Sequence, residues 1–267
     1  MLSIGQVIKN TNKSLKNKYG KAILCTIIYE IVVYGLYFIS NLITGNVQSL
    51  NQNIDMKRNI TGIVFSLCSY IIIIPFMYSY FFNLMDLYRE REFSFSNLYR
   101  YTINNFKKAW CLLGRKLQKL LLPILLLLVP YIFMFFSFAI VIFTANGTTF
   151  NEIANTTLIA CTVVMIIALV LMVLAVILLY VKELLYFPIY YIAYDNPEMT
   201  GLEIVNESER IMKGNRLNYF ALALIFMMAI VVSVISTLGI GLIFVLPYIY
   251  FANMVFYDGL TGKISEN

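Results

Sequence analysis

Six apolar stretches dominate this chain, at about 22–43, 63–85, 119–144, 157–181, 217–236 and 238–258. Each has close to the roughly 20 residues that a helix needs to cross about 30 Å of hydrocarbon. Only 13% of residues are charged and 60% are apolar, whereas about 25% are charged in soluble domains. Lipid is therefore the expected solvent, and the expected fold is all-α: a polytopic membrane helix bundle with about six transmembrane helices, forming a single integral membrane domain over 1–267. The first stretch is too long and too deep in the chain for a secretory signal, so the N-terminus is expected to be retained.

The twenty Lys and Arg residues are distributed unevenly around these stretches. Five precede the first, eight lie between the second and third, four between the fourth and fifth, and one follows the last; only Lys57 and Arg58 fall on the opposite side. The positive-inside rule then places both termini in the cytoplasm. The longest linkers, about thirty residues, leave little room for a soluble catalytic domain. The net charge of +6 fits this topology and contact with anionic lipid headgroups, rather than nucleic acid.

There is no histidine, and Cys25, Cys68, Cys111 and Cys161 form no CxxC. Metal ligation, a histidine-based acid–base pair and redox work are therefore unsupported, and no cofactor is expected. The cysteines read as small buried apolar residues.

The spans come in pairs, each preceded by a short amphipathic stretch on the basic side, at 3–19, 96–108 and 200–213. Ser3 with Gln6 and Thr200 with Glu203 have the spacing of capping boxes; Gly20 and Gly214 read as stops. Ile8 and Leu15, Tyr99 and Phe106, and Ile204 and Ile211 are each seven apart, and basic residues follow each pair. This suggests a three-unit repeat. Such helices are expected to lie in the headgroup plane, apolar side down. The third carries Glu198, Glu203, Glu207 and Glu209 toward its start, which favours packing on other loops over lipid.

Glu30 is the sharpest polar feature. It lies nine residues past Lys21, about 13 Å along the first span. A carboxyl at that depth either contacts a substrate, ion or proton, or fixes helix packing through a hydrogen bond. Lys182 and Glu183 complete the candidate intramembrane polar site. If the helix continues to Asp195, Lys182 is about 20 Å deep and able to pair with Glu30; if the boundary lies near Lys182, both charges snorkel. Pro75, Pro123, Pro130, Pro188 and Pro247 fall in or beside spans, where they bend helices. Gly239 and Gly241 read as a tight turn between the last two spans.

The run Ala193-Tyr-Asp195-Asn-Pro197, then Thr200-Gly-Leu-Glu203, Ser208, Met212-Lys-Gly214-Asn, Thr237-Leu-Gly-Ile-Gly241, Pro247-Tyr248 and Phe256-Tyr-Asp258, resembles the uncharacterised bacterial membrane family called domain of unknown function 975. Lys13-Ser-Leu15 and Gly20-Lys-Ala22 resemble that family's entry into its first span. The resemblance covers 182–263 most clearly. It implies a multi-span protein, broadly similar to the membrane domain attached to some glycerophosphodiester phosphodiesterases, and implies no activity. The hydrolase site of those proteins lies in a separate soluble domain. An oxygenase label carried by some relatives requires histidine-ligated iron, which a chain without histidine cannot supply. The expected role is a non-enzymatic membrane component, contacting the lipid bilayer or a partner membrane protein in envelope maintenance or self-protection. The alternative is a small transporter or permease accessory with Glu30, Lys182 and Glu183 in a polar pathway.

Overall fold

A computed structural model describes residues 2–44, 56–91, 93–146 and 152–264. The external linkers of the sequence reading, at 45–55 and 147–151, lie outside the described residues. All regular structure among the described residues is helical: α1 (Ile4–Leu15), α2 (Tyr19–Thr44), α3 (Met56–Tyr88), α4 (Ser96–Asn104), α5 (Phe106–Asn146), α6 (Glu152–Glu183), α7 (Ile189–Asp195), α8 (Gly201–Met212), α9 (Arg216–Thr237) and α10 (Leu242–Leu260). A 3-10 turn, Leu184–Tyr186, follows α6. Six helices are long and apolar enough to span a membrane, covering Tyr19–Leu42, Val64–Tyr88, Phe106–Thr144, Thr156–Asp195, Arg216–Thr237 and Leu242–Leu260. The chain is thus a membrane helix bundle, as its apolar pattern requires.

The chain divides into two compact units, Met1–Leu113 with Pro188–Asn267, and Gly114–Phe187. In the first, α2 and α3 run antiparallel, paired by Thr26 with Tyr80, Cys25 with Asn83 and Ser40 with Ser66. α10 packs on α1, α2, α3 and α9, while α3 also packs on α4 and α7, and α7 on α8. Tyr78, Tyr80, Phe251 and Ile192 are among the fully buried side chains, and Phe81 stacks on Tyr190 at 4.7 Å between ring centres. In the second unit α5 and α6 face each other across an apolar cleft of about 460 Å³, between Tyr131 and Phe135 on one side and Met165 and Leu169 on the other. α5 runs unbroken through Pro123 and Pro130. Leu121, Phe133, Ile166 and Leu174 are exposed, a surface that suits hydrocarbon and not water.

The capping boxes form as expected. Ser3 and Thr200 each accept from the backbone of Gln6 and Glu203, whose side chains reach back. The stop at Gly20 does not. α1 ends at Leu15, Asn17 takes the left-handed conformation (φ 67°), and Gly20 lies inside α2. Gly214 does stop α8, with φ 85°. The second amphipathic stretch is also shorter than expected: α4 ends at Asn104, and Phe106, Lys107 and Lys108 already belong to α5.

The apolar face of α1 does not point into headgroups. Val7, Thr11 and Leu15 are buried against the bundle, where α1 packs on α10 and Leu2 meets Gly259. α8 buries Ile204, Val205, Ser208 and Met212, in line with the packing role read for it. The repeat survives in a shifted register: Ser3, Gln6, Val7, Thr11 and Lys16 recur as Ser94, Asn97, Leu98, Thr102 and Lys107, and as Thr200, Glu203, Ile204, Ser208 and Lys213. Each helix thus carries a hydroxyl in the middle of its inward face. Those of Thr11 and Thr102 donate to the carbonyls of Val7 and Leu98, four residues back, at 2.7 and 2.6 Å. That internal bond lets a polar side chain be buried without a penalty.

Candidate functional site

The densest set of charges gathers where α3, α7 and α10 end. Arg89, just past α3, forks onto Asp258 of α10, its Nη1 donating to Oδ2 at 2.7 Å and its Nη2 to Oδ1 at 2.5 Å. Tyr88 donates to the same Oδ2 at 2.7 Å. Asp195, closing α7, lies 3.5 Å from Arg89 and accepts from Lys263 at 2.5 Å. The side chain of Asp258 is only 2% exposed, so its charge needs this pairing. Burial opposes the Arg89 charge, yet the hydrogen bond and charge of Asp258, aided by Asp195, outweigh it and hold the guanidinium more firmly protonated than usual. Lys263 also sits over the Tyr257 ring, 5.5 Å from its centre.

Asp86, on α3, is the second buried carboxylate. Tyr194 donates to Oδ1 at 2.6 Å and Tyr101 to Oδ2 at 2.7 Å, joining α3 to α7 and α4. Burial, then the hydrogen bond to Asp86, pushes the Tyr101 phenol above its ordinary range. Both oxygens of Asp86 and both of Asp258 are engaged. Such an arrangement ties the helices together through buried, hydrogen-bonded carboxylates. No group of three or more His, Cys, Asp or Glu placed to hold a metal occurs among the described residues.

Glu30 is placed differently. It is half-buried on α2 and lines an open cleft of about 540 Å³ with Ile27, Ile31 and Tyr34, facing Leu238, Gly239, Ile240, Leu242, Ile243 and Leu246. Among the described residues it makes no hydrogen bond or ion pair. Tyr29 beside it stacks on Tyr80 at 4.5 Å, and the Tyr80 hydroxyl meets that of Thr26 at 2.8 Å.

The other two residues of the expected site belong to the second unit. α6 ends at Glu183, and the 3-10 turn and Pro188 interrupt the path to Asp195, so the continuous thirteen-residue rise assumed for Lys182 does not exist. Glu183 pairs with Lys116 within the Gly114–Phe187 unit, and Lys182 is exposed. Glu30 belongs to the first unit and Lys182 to the second. Of the cysteines, Cys25 and Cys161 are buried as expected, whereas Cys68 and Cys111 are exposed. The turn between α9 and α10 is built as read, with Leu238 (φ 52°) and Gly239 (φ 92°) left-handed.

Asp86, Arg89 and Lys263 fall in none of the motifs read from the sequence; Asp195 enters as a helix boundary and, with Asp258, as part of a family-like run. A signal exists. Pro75, Pro188 and Pro247 are each followed three residues on by a tyrosine, Tyr78, Tyr191 and Tyr250, and then by Asp86, Asp195 and Asp258. The Asp lies eleven residues past Pro75 and Pro247 and seven past Pro188, a difference of about one helical turn.

α4 has one further surface. Phe95, Tyr99, Ile103 and Phe106 are exposed in a row, 43%, 72%, 55% and 41% respectively, with Arg100 and Lys107 exposed beside them. Only Asn105 separates α4 from the membrane-spanning α5.

Residues 5–263 match the family described as protein of unknown function (DUF975), and the chain belongs to it. No curated protein matches the chain, and no solved structure does.

Proposed function

We propose, starting from membership in a family without an assigned activity, that this protein is a non-enzymatic component of a bacterial cytoplasmic membrane, with both termini on the inner side. Its work is to contact anionic lipid headgroups or a partner membrane protein, in envelope maintenance or self-protection. The observation that carries this reading is the exposed α4 stripe, Phe95, Tyr99, Ile103 and Phe106, flanked by Arg100 and Lys107. A helix continuous with a span sits at the membrane surface, and an aromatic face with basic neighbours suits the headgroup boundary. Each basic residue near an anionic leaflet contributes about 1 kcal/mol, falling with salt.

The test is lipid retention. Protein purified from mixed phosphatidylglycerol and phosphatidylcholine is expected to carry phosphatidylglycerol preferentially by native mass spectrometry. Arg100→Gln with Lys107→Gln should lower that preference several-fold, as should added salt. Equal retention of both lipids by wild type and variant would remove the reading.

A second reading, a small transporter or permease accessory, draws on one observation: the Glu30 carboxyl has no hydrogen-bond or ion-pair partner among the described residues and lines an open cleft. Lys182 and Glu183 belong to the other compact unit, and this reading is argued on Glu30 alone. The broader similarity to the membrane domains of some glycerophosphodiester phosphodiesterases stays a proposal about ancestry and brings no hydrolase chemistry.

A further inference from the structure

We infer that the groove between α2 and the start of α10 binds a lipophilic monocation, an amphiphile with a protonated or quaternary amine and a hydrocarbon chain, with Glu30 as its counter-ion. The inference deepens the transporter reading in its choice of site but needs no flux. Glu30 lies eleven residues into α2 from Tyr19, about 16 Å along the helix. It has no hydrogen-bond or ion-pair partner among the described residues. A lone carboxylate surrounded by hydrocarbon is costly, and a cation placed against it offsets that cost.

The remaining surface decides which cation. Tyr34, one helical turn past Glu30, lines the same groove and offers a ring face to an ammonium group. Ile27, Ile31, Ile243 and Leu246 make the walls, which suit an alkyl chain. The volume of about 540 Å³ lies within the range of about 300–1,000 Å³ that small-molecule sites occupy.

The backbone of the neighbouring turn offers no donor. The N–H groups of Gly239, Ile240 and Gly241 are bound to Val234 O, Thr237 O and Thr237 Oγ1. The groove therefore presents a carboxyl, a phenol and apolar walls, which discriminates against anions. A hard metal cation is a poor match too, because it seeks six or more oxygen ligands and no group of metal-holding residues occurs among the described residues.

The test uses the full chain in phosphatidylcholine nanodiscs with radiolabelled dodecyltrimethylammonium, empty nanodiscs giving the background. One saturable site per protein is expected, weakened at least tenfold by Glu30→Gln and largely kept by Glu30→Asp, while 1-dodecanol competes poorly. If Glu30→Gln fails to fold, Ile243→Trp, which fills the groove with Glu30 intact, is expected to abolish binding instead. Binding unchanged by Glu30→Gln, equal competition by 1-dodecanol, no saturable binding, or a groove closed by a second copy, seen as cross-linking through Leu242→Cys, would each overturn the inference. Saturable binding without uptake of the probe by proteoliposomes would end the transporter reading and leave the site standing.

Discussion

Arg89 carries more than any other single residue. It is the cation that neutralises Asp258 while also facing Asp195, and removing it leaves a buried carboxylate with one tyrosine donor. Breaking one side of such a pair costs about 3–5 kcal/mol. Arg89→Ala should therefore lower the melting temperature in detergent sharply. Arg89→Lys should fall between, since an ammonium cannot reproduce the two-pronged bond, and adding Asp258→Asn to Arg89→Ala should recover part of the loss. Tyr101 gives a pH signature. Its folded phenol titrates above the ordinary value, so its contribution is full below about pH 10 and lost as pH rises through the raised folded value. The melting temperature should fall more steeply above pH 10 in wild type than in Tyr101→Phe. None of this was visible along the chain, because Arg89 and Asp258 stand 169 residues apart and pairing over that distance leaves no local period. Glu30 was visible, because a charge inside an uninterrupted apolar stretch announces itself from its neighbours alone.

At the level of helices, α1 and α8 are versions of one device: a capping box, three inward side chains one turn apart, a basic C-cap and a left-handed residue before the next span. Their starts were legible because a capping box is four residues long and purely local. Their ends were less so. Gly214 fills the left-handed position after α8, but Asn17 fills it after α1, and asparagine is the other residue that tolerates that conformation; a rule that looks for glycine finds Gly20 instead. The two sites should respond with opposite sign. Gly214→Ala should cost about 1 kcal/mol through its strained φ, while Asn17→Gly should be neutral or slightly stabilising, both read from thermal melts. The sequence offers both Val7 and Ile8 as members of the apolar stripe, and only the packing on α10 shows that Val7, with Thr11 and Leu15, is the buried one. The middle position tests this register. Ser208 is fully buried, so Ser208→Leu should overpack the face and cost about 1–3 kcal/mol.

The molecule as a whole holds an asymmetry that the proposed orientation must explain. In the first unit the cluster of Arg89, Asp195, Asp258 and Lys263 lies at the end of α10, with the lysine-bearing α1 packed against it at Gly259, and the turn from Leu238 to Gly241 lies at the start of α10. Moving the lysines across a hydrocarbon layer would be prohibitive, so the two ends should report from different aqueous phases. The four native cysteines are first replaced by serine or alanine, since Cys68 and Cys111 are exposed. Leu238→Cys, at the turn, 93% exposed, should then react with a membrane-impermeant maleimide in intact cells. Lys213→Cys, at the C-cap of α8, should react only after the membrane is opened. If both reacted from outside, or if the pattern were reversed, the inner-side assignment of the α4 stripe would fall, and with it the anionic-lipid reading. The Glu30 groove, which opens beside the Leu238 turn, would then face ligands arriving from the cell interior. The membrane fold would be untouched by either outcome, because it rests on the six apolar helices and not on which way they point.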